Sequence, residues 1–156
     1  MTRCVMGVDP GATGGVAFYY PDAPGRVAVH DMPFAGGVSG GGVGDLIRQY
    51  GPTDAIVELV SAMPGQGVSS TFKFGLAAGA IHGALGALGI PYHLVTPGKW
   101  KRRMGLTSDK DASRAMACRL FPQVASSFAR KKDDGRAEAA LLAYYRVHQM
   151  DERNAA

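Results

Sequence analysis

The sequence predicts an α/β fold: one five-stranded mixed sheet flanked by helices. Two observations carry this. The first thirty residues hold three short apolar runs joined by tight, turn-rich links, the pattern of an antiparallel three-strand meander. After them, strand-like and helix-like segments alternate, as they do when helices cover the faces of a sheet. The 22 glycines add many tight turns and close backbone contacts to that expectation.

The elements follow in order. "RCVMGVD" (3–9), "GGVAFYY" (14–20) and "RVAVHD" (26–31) read as the meander strands, linked by "PGAT" and "PDAPG". "FAGGVSGGGVG" (34–44) reads as a flexible loop, and "VGDLIRQYG" (43–51) as a short helix closed by glycine. "TDAIVELV" (53–60) is a fourth strand. After the loop "SAMPGQGVSS", Ser69 or Ser70 is the expected cap of a long Ala/Gly-rich helix reaching about Leu88. "YHLVT" (92–96) is the fifth strand, and "PGKWKRRMGLTS" (97–108) a basic loop or short helix. A helix over 108–121 has Ser108 and Asp111 as its expected capping box, and Pro122 stops it. An amphipathic helix over 136–150 closes a single domain of residues 1–150, leaving 151–156 as a frayed tail.

Bulk properties narrow the class. At 156 residues and 46% hydrophobic content the chain is expected to be globular, with a core of its own. It has no apolar run of bilayer length and no secretory layout at its start, so the expected location is cytoplasmic, with no membrane partner. Cys4 and Cys118 lie far apart within apolar patterns and read as two buried, unpaired thiols. The net charge of +4 hides an uneven distribution. Residues 96–132 carry ten Lys/Arg and two Asp/Glu, whereas the segments before and after are mildly acidic. A concentrated basic block favours a polyanionic partner, nucleic acid before membrane; a merely solvated charged surface is the competing reading.

The carboxylates carry the chemistry. Asp9 ends the first strand, Glu58 sits inside the fourth, and Asp133, Asp134 and Glu138 cluster at the start of the last helix. Burying Asp9 or Glu58 without a partner costs several kcal/mol, and no basic neighbour in sequence compensates it. A divalent cation would. Mg²⁺ takes a few carboxylates together with waters and phosphate oxygens, and two such ions suit phosphodiester hydrolysis. Asp134 and Glu138, four apart, share a helix face. Asp133 is the reserve ligand or an N-cap, and the two aspartates are not separated by spacing alone. Singly, Asp9 also suits a turn before Pro10-Gly11, Glu58 an exposed edge, and Asp133 or Asp134 a helix-dipole role.

Taken in order, "GVDPGATGG", "IVEL", "TFKFGLAAGAIHGAL", "TPGKWKRRMGL…DK" and "KKDDGRAEAALLA" resemble the RuvC-type Holliday-junction resolvase family, with its RNase H-like fold, over Met6 to Tyr144. The compact "KKDDGRAEA" ending is similar to phage-encoded and related bacterial members, which implies a bacterial or phage-infected cell. The resemblance implies a catalytic and metal-binding tetrad of Asp9, Glu58, Asp134 and Glu138, with Mg²⁺ as cofactor and Mn²⁺ able to replace it. It implies lysines near the scissile phosphate, here Lys101 and Lys110. DNA contacts are expected from Lys73, Lys99, Lys101, Arg102, Arg103, Lys110, Lys131 and Lys132. The implied partner is branched DNA (four-way junctions, with forks and flaps as further substrates), bound by a homodimer whose two-fold symmetry matches a junction. The helix over 71–88 offers either a dimer surface or simple packing on the sheet.

The family's last-helix pair is often three apart and ends in Asp; here the spacing is four and the end is Glu138. Some members place an aromatic wedge in the loop after the Glu, whereas "VSAMPGQGVSS" has none and Met63 is its nearest bulky residue. Three rivals remain in view. A sugar-kinase or actin-like ATPase needs two lobes, more chain than this. A non-catalytic junction-binding module has no use for converging carboxylates. A ribonuclease acting on RNA or RNA–DNA hybrid would use the same metal chemistry.

Overall fold

The computed structural model describes residues 2–150; the expected tail, 151–156, lies outside them. The sheet has the strand order β3-β2-β1-β4-β5. Strands β1 (Val5–Asp9), β2 (Gly15–Tyr19) and β3 (Val27–Asp31) form the antiparallel meander. Strands β4 (Asp54–Glu58) and β5 (Tyr92–Val95) add to it in parallel, β4 pairing directly with β1. The helices are α1 (Gly40–Tyr50), α2 (Val68–Ala87), α3 (Pro97–Arg103), α4 (Lys110–Leu120) and α5 (Asp134–Tyr145). Short 3-10 turns at Pro122–Phe128 and Lys131–Asp133 lead into α5, and a π turn, Arg146–Met150, follows it. No helix among the described residues is long and apolar enough to cross a membrane.

Alternation along the strands divides the core into two layers. Met6, Val8, Val16, Phe18, Ala55 and Val57 face α1 and α2, meeting Val43, Ile47, Ile81 and Leu85. Val5, Ala17, Tyr19 and Ile56 face the other way, onto α5 and the aromatic group Trp100, Phe121 and Phe128. By the same period of two, Asp9 belongs with Val5, and Glu58 with Ile56, on the α5 side.

Helix α5 lies against the sheet at backbone distance. A Cβ placed on Gly7 would collide with the Ala139 carbonyl and come within 2.7 Å of the Ala143 nitrogen. A Cβ on Gly15 would come within 2.6 Å of the Gly135 carbonyl oxygen. The expected amphipathic helix is therefore corrected: Gly135 and the run Ala137–Ala143 are buried, so this helix is enclosed on nearly every side. Arg136 fastens it to β3 through a two-armed pair with Asp31, at 2.7 and 3.0 Å. At its far end Arg146 pairs with Asp54 of β4 at 2.7 Å.

Several boundaries differ from the sequence expectation, each for a local reason. Helix α1 begins within the expected loop because Ser39 Oγ accepts the Gly42 N–H at 3.0 Å. Helix α2 starts after Gly67 with no side-chain cap, so Ser69 and Ser70 lie inside its first turn. Asp109 caps α4 by accepting from the Asp111 nitrogen, displacing the Ser108–Asp111 box. The final α-helix starts at Asp134, two residues early, and gives way to the π turn at Arg146. Cys4 and Cys118 are free, but Cys118 is only half-buried.

The Gly7 contact is with backbone, which cannot swing aside. Gly7→Ala is expected to cost roughly 2–3 kcal/mol or more of stability through overpacking. A urea unfolding midpoint equal to wild type would contradict this account of how α5 meets the sheet.

Candidate metal and nuclease site

Parallel pairing of β1 with β4 aligns Val8 with Val57, so Asp9 and Glu58, the next residues, emerge side by side at the C-terminal ends of neighbouring strands. Just beyond Asp9 the chain turns through Gly11, whose φ of +114° suits glycine, and the Gly14 N–H returns to the Gly11 carbonyl at 3.1 Å. Helix α5, pressed on the sheet at Gly7 and Gly15, carries Glu138 across the same edge. Asp9, Glu58 and Glu138 each offer a carboxylate oxygen within 4.8 Å of the others. Glu58 is 9% exposed and lies on a central strand, which removes the edge-strand reading.

Helices α3 and α4 close the site with cations. Lys101 Nζ lies 2.8 Å from Glu138 Oε1, and Lys110 Nζ 3.1 Å from Oε2. Ser113, three residues after Lys110 and so on the same face of α4, donates to Glu138 Oε1 at 3.3 Å. Lys110 also stands 3.6 Å from Asp134, whose side chain is 26% exposed. Glu58 has a different partner: the fully buried Trp100 of α3 donates its indole N–H to Oε2 at 2.7 Å.

Charge explains the protonation tendencies. Burial pushes the Asp9 carboxyl well above the ordinary aspartate range, and the negative charges of Glu58 and Glu138 push it further. Burial also raises Glu58, against the opposing pull of the Trp100 hydrogen bond. Burial works against the charge of Lys110, but Glu138 more than offsets it, so its pKa rises.

Of the expected tetrad, three members converge and Asp134 stands at the rim, one helical turn from Glu138. Asp133 is engaged elsewhere. It accepts from the Arg130 backbone at 2.9 Å and from the Arg130 guanidinium at 2.8 Å, and these bonds hold its carboxyl below the usual range. Among the expected DNA contacts, Lys73, Lys99, Arg102, Arg103, Lys110, Lys131 and Lys132 are exposed, whereas Lys101 is largely buried; both Lys101 and Lys110 bring their ammonium groups to Glu138. The sequence reading missed Trp100 and Ser113. The three-residue step from Lys110 was a signal for Ser113; for Trp100 there was only its adjacency to Lys101.

The donor set suits a divalent cation. Four carboxylates face two ammonium groups, and no ion pair to Asp9 or Glu58 forms among the described residues. The positive charge missing is that of one divalent ion. The three oxygens, within 4.8 Å of one another, are close enough to share one ion.

Because Asp9's pKa is raised, the folded chain keeps a proton there that the unfolded chain releases. The stability this contributes is present below about pH 4, the ordinary aspartate value, and is lost as pH rises through the elevated pKa. In chelator, wild type should therefore lose stability relative to Asp9→Asn as pH rises from about 4 toward neutrality, at up to about 1.4 kcal/mol per pH unit. Thermal unfolding of the two proteins across that range checks it, and parallel curves would contradict it.

No protein-family model and no curated protein sequence matches the chain. Solved structures do. Thermus thermophilus RuvC in complex with Holliday junction substrate aligns with a TM-score of 0.67 at 18% identity, over 97% of this chain and 96% of that one. The yeast mitochondrial Holliday junction resolvase Ydc2 aligns at 0.57 and 16% identity, over 91% and 76%. The fowlpox virus Holliday junction resolvase aligns at 0.57 and 13% identity, over 95% and 99%. The chain thus has the RNase H-like α/β fold in the form shared by the RuvC-type resolvases.

Proposed function

We propose that this protein, as one nuclease domain over residues 1–150, is a metal-dependent endonuclease that nicks four-way DNA junctions. The observation that carries the proposal is the convergence of Asp9, Glu58 and Glu138 at one sheet edge, with Lys101 and Lys110 against them. A fold shared with proteins that act on Holliday junctions supports the choice of substrate.

In this reading Asp9, Glu58 and Glu138, with Asp134 at the rim, would hold Mg²⁺, for which Mn²⁺ can substitute, as a pair of ions when substrate is present. Bound there, the metal supplies an activated water and charge for the departing oxygen of a phosphodiester. The chain's own residues do the rest. Burial of the carboxylates keeps bulk water from screening the site. Lys101 and Lys110 are placed to turn from Glu138 to a phosphate and offset the charge that builds on it. Lys99, Arg102, Arg103, Lys131 and Lys132 would follow DNA backbones, with Lys73 on α2 as an outlying contact, so binding should fall steeply with salt.

The partner across a two-fold axis would be a second copy, held through α2. Its sheet-facing residues are Ala77, Ile81 and Leu85, so the packing reading accounts for only one face. On another face Val68, Phe72 and Leu76 recur every four residues at 89%, 66% and 59% exposure. Gly75, Gly79, Gly83 and Gly86 fall on the same arc, with open space where a Cβ would sit. Exposed helix glycines cost about 1 kcal/mol each relative to alanine. A close-packed partner helix would repay that cost and cover the apolar stripe.

Two tests follow. A labelled synthetic four-way junction should receive paired nicks with Mg²⁺ or Mn²⁺, and none with chelator, while linear duplex, RNA and RNA–DNA hybrid stay intact. Glu58→Gln should lower cutting by on the order of 10³-fold or more while junction binding in Ca²⁺ persists. Binding without cutting in either metal would leave a junction-binding module; cutting of hybrid instead would leave a ribonuclease. Separately, Leu76→Arg should convert a dimer to a monomer in sedimentation velocity, and a wild-type monomer would remove the α2 interface.

A further inference from the structure

We infer that Trp100 is a positioning residue for Glu58: its buried indole N–H anchors the carboxylate where it converges with Asp9 and Glu138. The inference rests on the metal-site reading above and deepens it.

Three features carry it. Glu58 forms no ion pair among the described residues, Lys101 and Lys110 attracting it only from a distance, and its side chain's one hydrogen bond is the 2.7 Å contact from Trp100. It stands beside two other carboxylates that repel it, at a strand end from which the side chain has a route to solvent. Without an anchor, repulsion favours rotation outward. The anchor itself cannot move. Trp100 is 0% exposed and lies in the core layer with Val95 and Ile56. It is delivered by α3, which starts two residues after Val95, the register partner of Glu58. An indole offers a donor and no acceptor, so the contact suits a carboxylate oxygen whose remaining lone pairs stay available to a cation. The neighbouring Lys101 sits 5.6 Å from the Trp100 ring centre and reaches Glu138. One short helix therefore sets both glutamates, one by a neutral donor and one by a charge.

The competing account is that Trp100 merely fills the core and satisfies its own N–H on a convenient oxygen. The composition of the chain makes the two separable. Trp100 is its only tryptophan, so growth of a tryptophan auxotroph on an analogue alters position 100 alone. Benzothienylalanine keeps the shape and replaces the N–H with sulfur; 5-fluorotryptophan keeps the N–H. Trp100→Phe gives a second donor-less side chain.

The measurements are Mn²⁺ affinity by calorimetry, thermal unfolding in chelator, and kcat and KM for junction cutting at limiting Mn²⁺. Loss of an outer-shell partner typically costs ten- to a hundredfold in metal affinity or activity. The benzothienyl protein and Trp100→Phe should show that loss in Mn²⁺ affinity and in kcat, with KM for the junction unchanged. The fluorotryptophan protein should match wild type. A folded benzothienyl protein with wild-type Mn²⁺ affinity would overturn the inference and leave the metal-site reading intact. A lower unfolding temperature with a raised KM and a lowered kcat would assign Trp100 to the core alone and overturn it too. A wild-type protein that neither binds Mn²⁺ nor cuts junctions would overturn the metal-site reading and this inference together.

Discussion

The contact on which the structure depends is the one between α5 and the bare backbone of β1 and β2. Gly7 and Gly15 let the helix lie at a separation that no side chain could bridge. Helices usually meet a sheet through interlocking side chains, which hold the two backbones apart. Here two glycines and a run of alanines bring the partners closer, so Glu138 reaches Asp9 and Glu58 without leaving the helix. An ordinary spacer at Gly7 would lift α5, and the carboxylates with it, out of mutual reach.

The site built on that contact is electrostatically costly. Each buried carboxylate opposes the others, and the two lysines both pair with Glu138, leaving Asp9 with burial and repulsion that the attraction of Lys110 only partly offsets. Such an arrangement stabilises nothing by itself; removing charges from water costs several kcal/mol each. The acids come from the sheet and from the enclosed helix α5, so their geometry is firm. The lysines come from α3 and α4 and have long stems, so they can change partner. The centre thus combines rigid acids with movable bases.

Much of this was legible in the sequence, and the rest was hidden for identifiable reasons. Strand periodicity placed all five strands to within two residues, and a lone carboxylate in each of two apolar runs singled out Asp9 and Glu58. The enclosure of α5 was not visible, because alanine fits a buried or an exposed face equally and "GRAEAALLAYY" shows no clear period. The engagement of Asp133 by Arg130 was not visible either, because an arginine side chain could as well have faced solvent. Caps at Ser39 and Asp109 competed with equally suitable neighbours. Trp100 lay unremarked in a basic segment, although it is core; that its one polar atom meets Glu58 depends on the β4–β5 register, which no local pattern specifies.

The two demands on β1 have a consequence for how this molecule can change over generations. Gly7 must meet α5, and Asp9 must meet Glu58, on the same side of one five-residue strand. Inserting or deleting a single residue before Asp9 would rotate both to the apolar layer under α1 and α2, and a shift of two would restore the side but lose the alignment with Ala139 and Val57. The strand is therefore frozen in length as well as in composition. Variation in chain length is confined to segments that carry no such phase, above all the stretch between Glu58 and α2. A lineage can lengthen, shorten or re-decorate that loop while the carboxylates beneath it stay fixed.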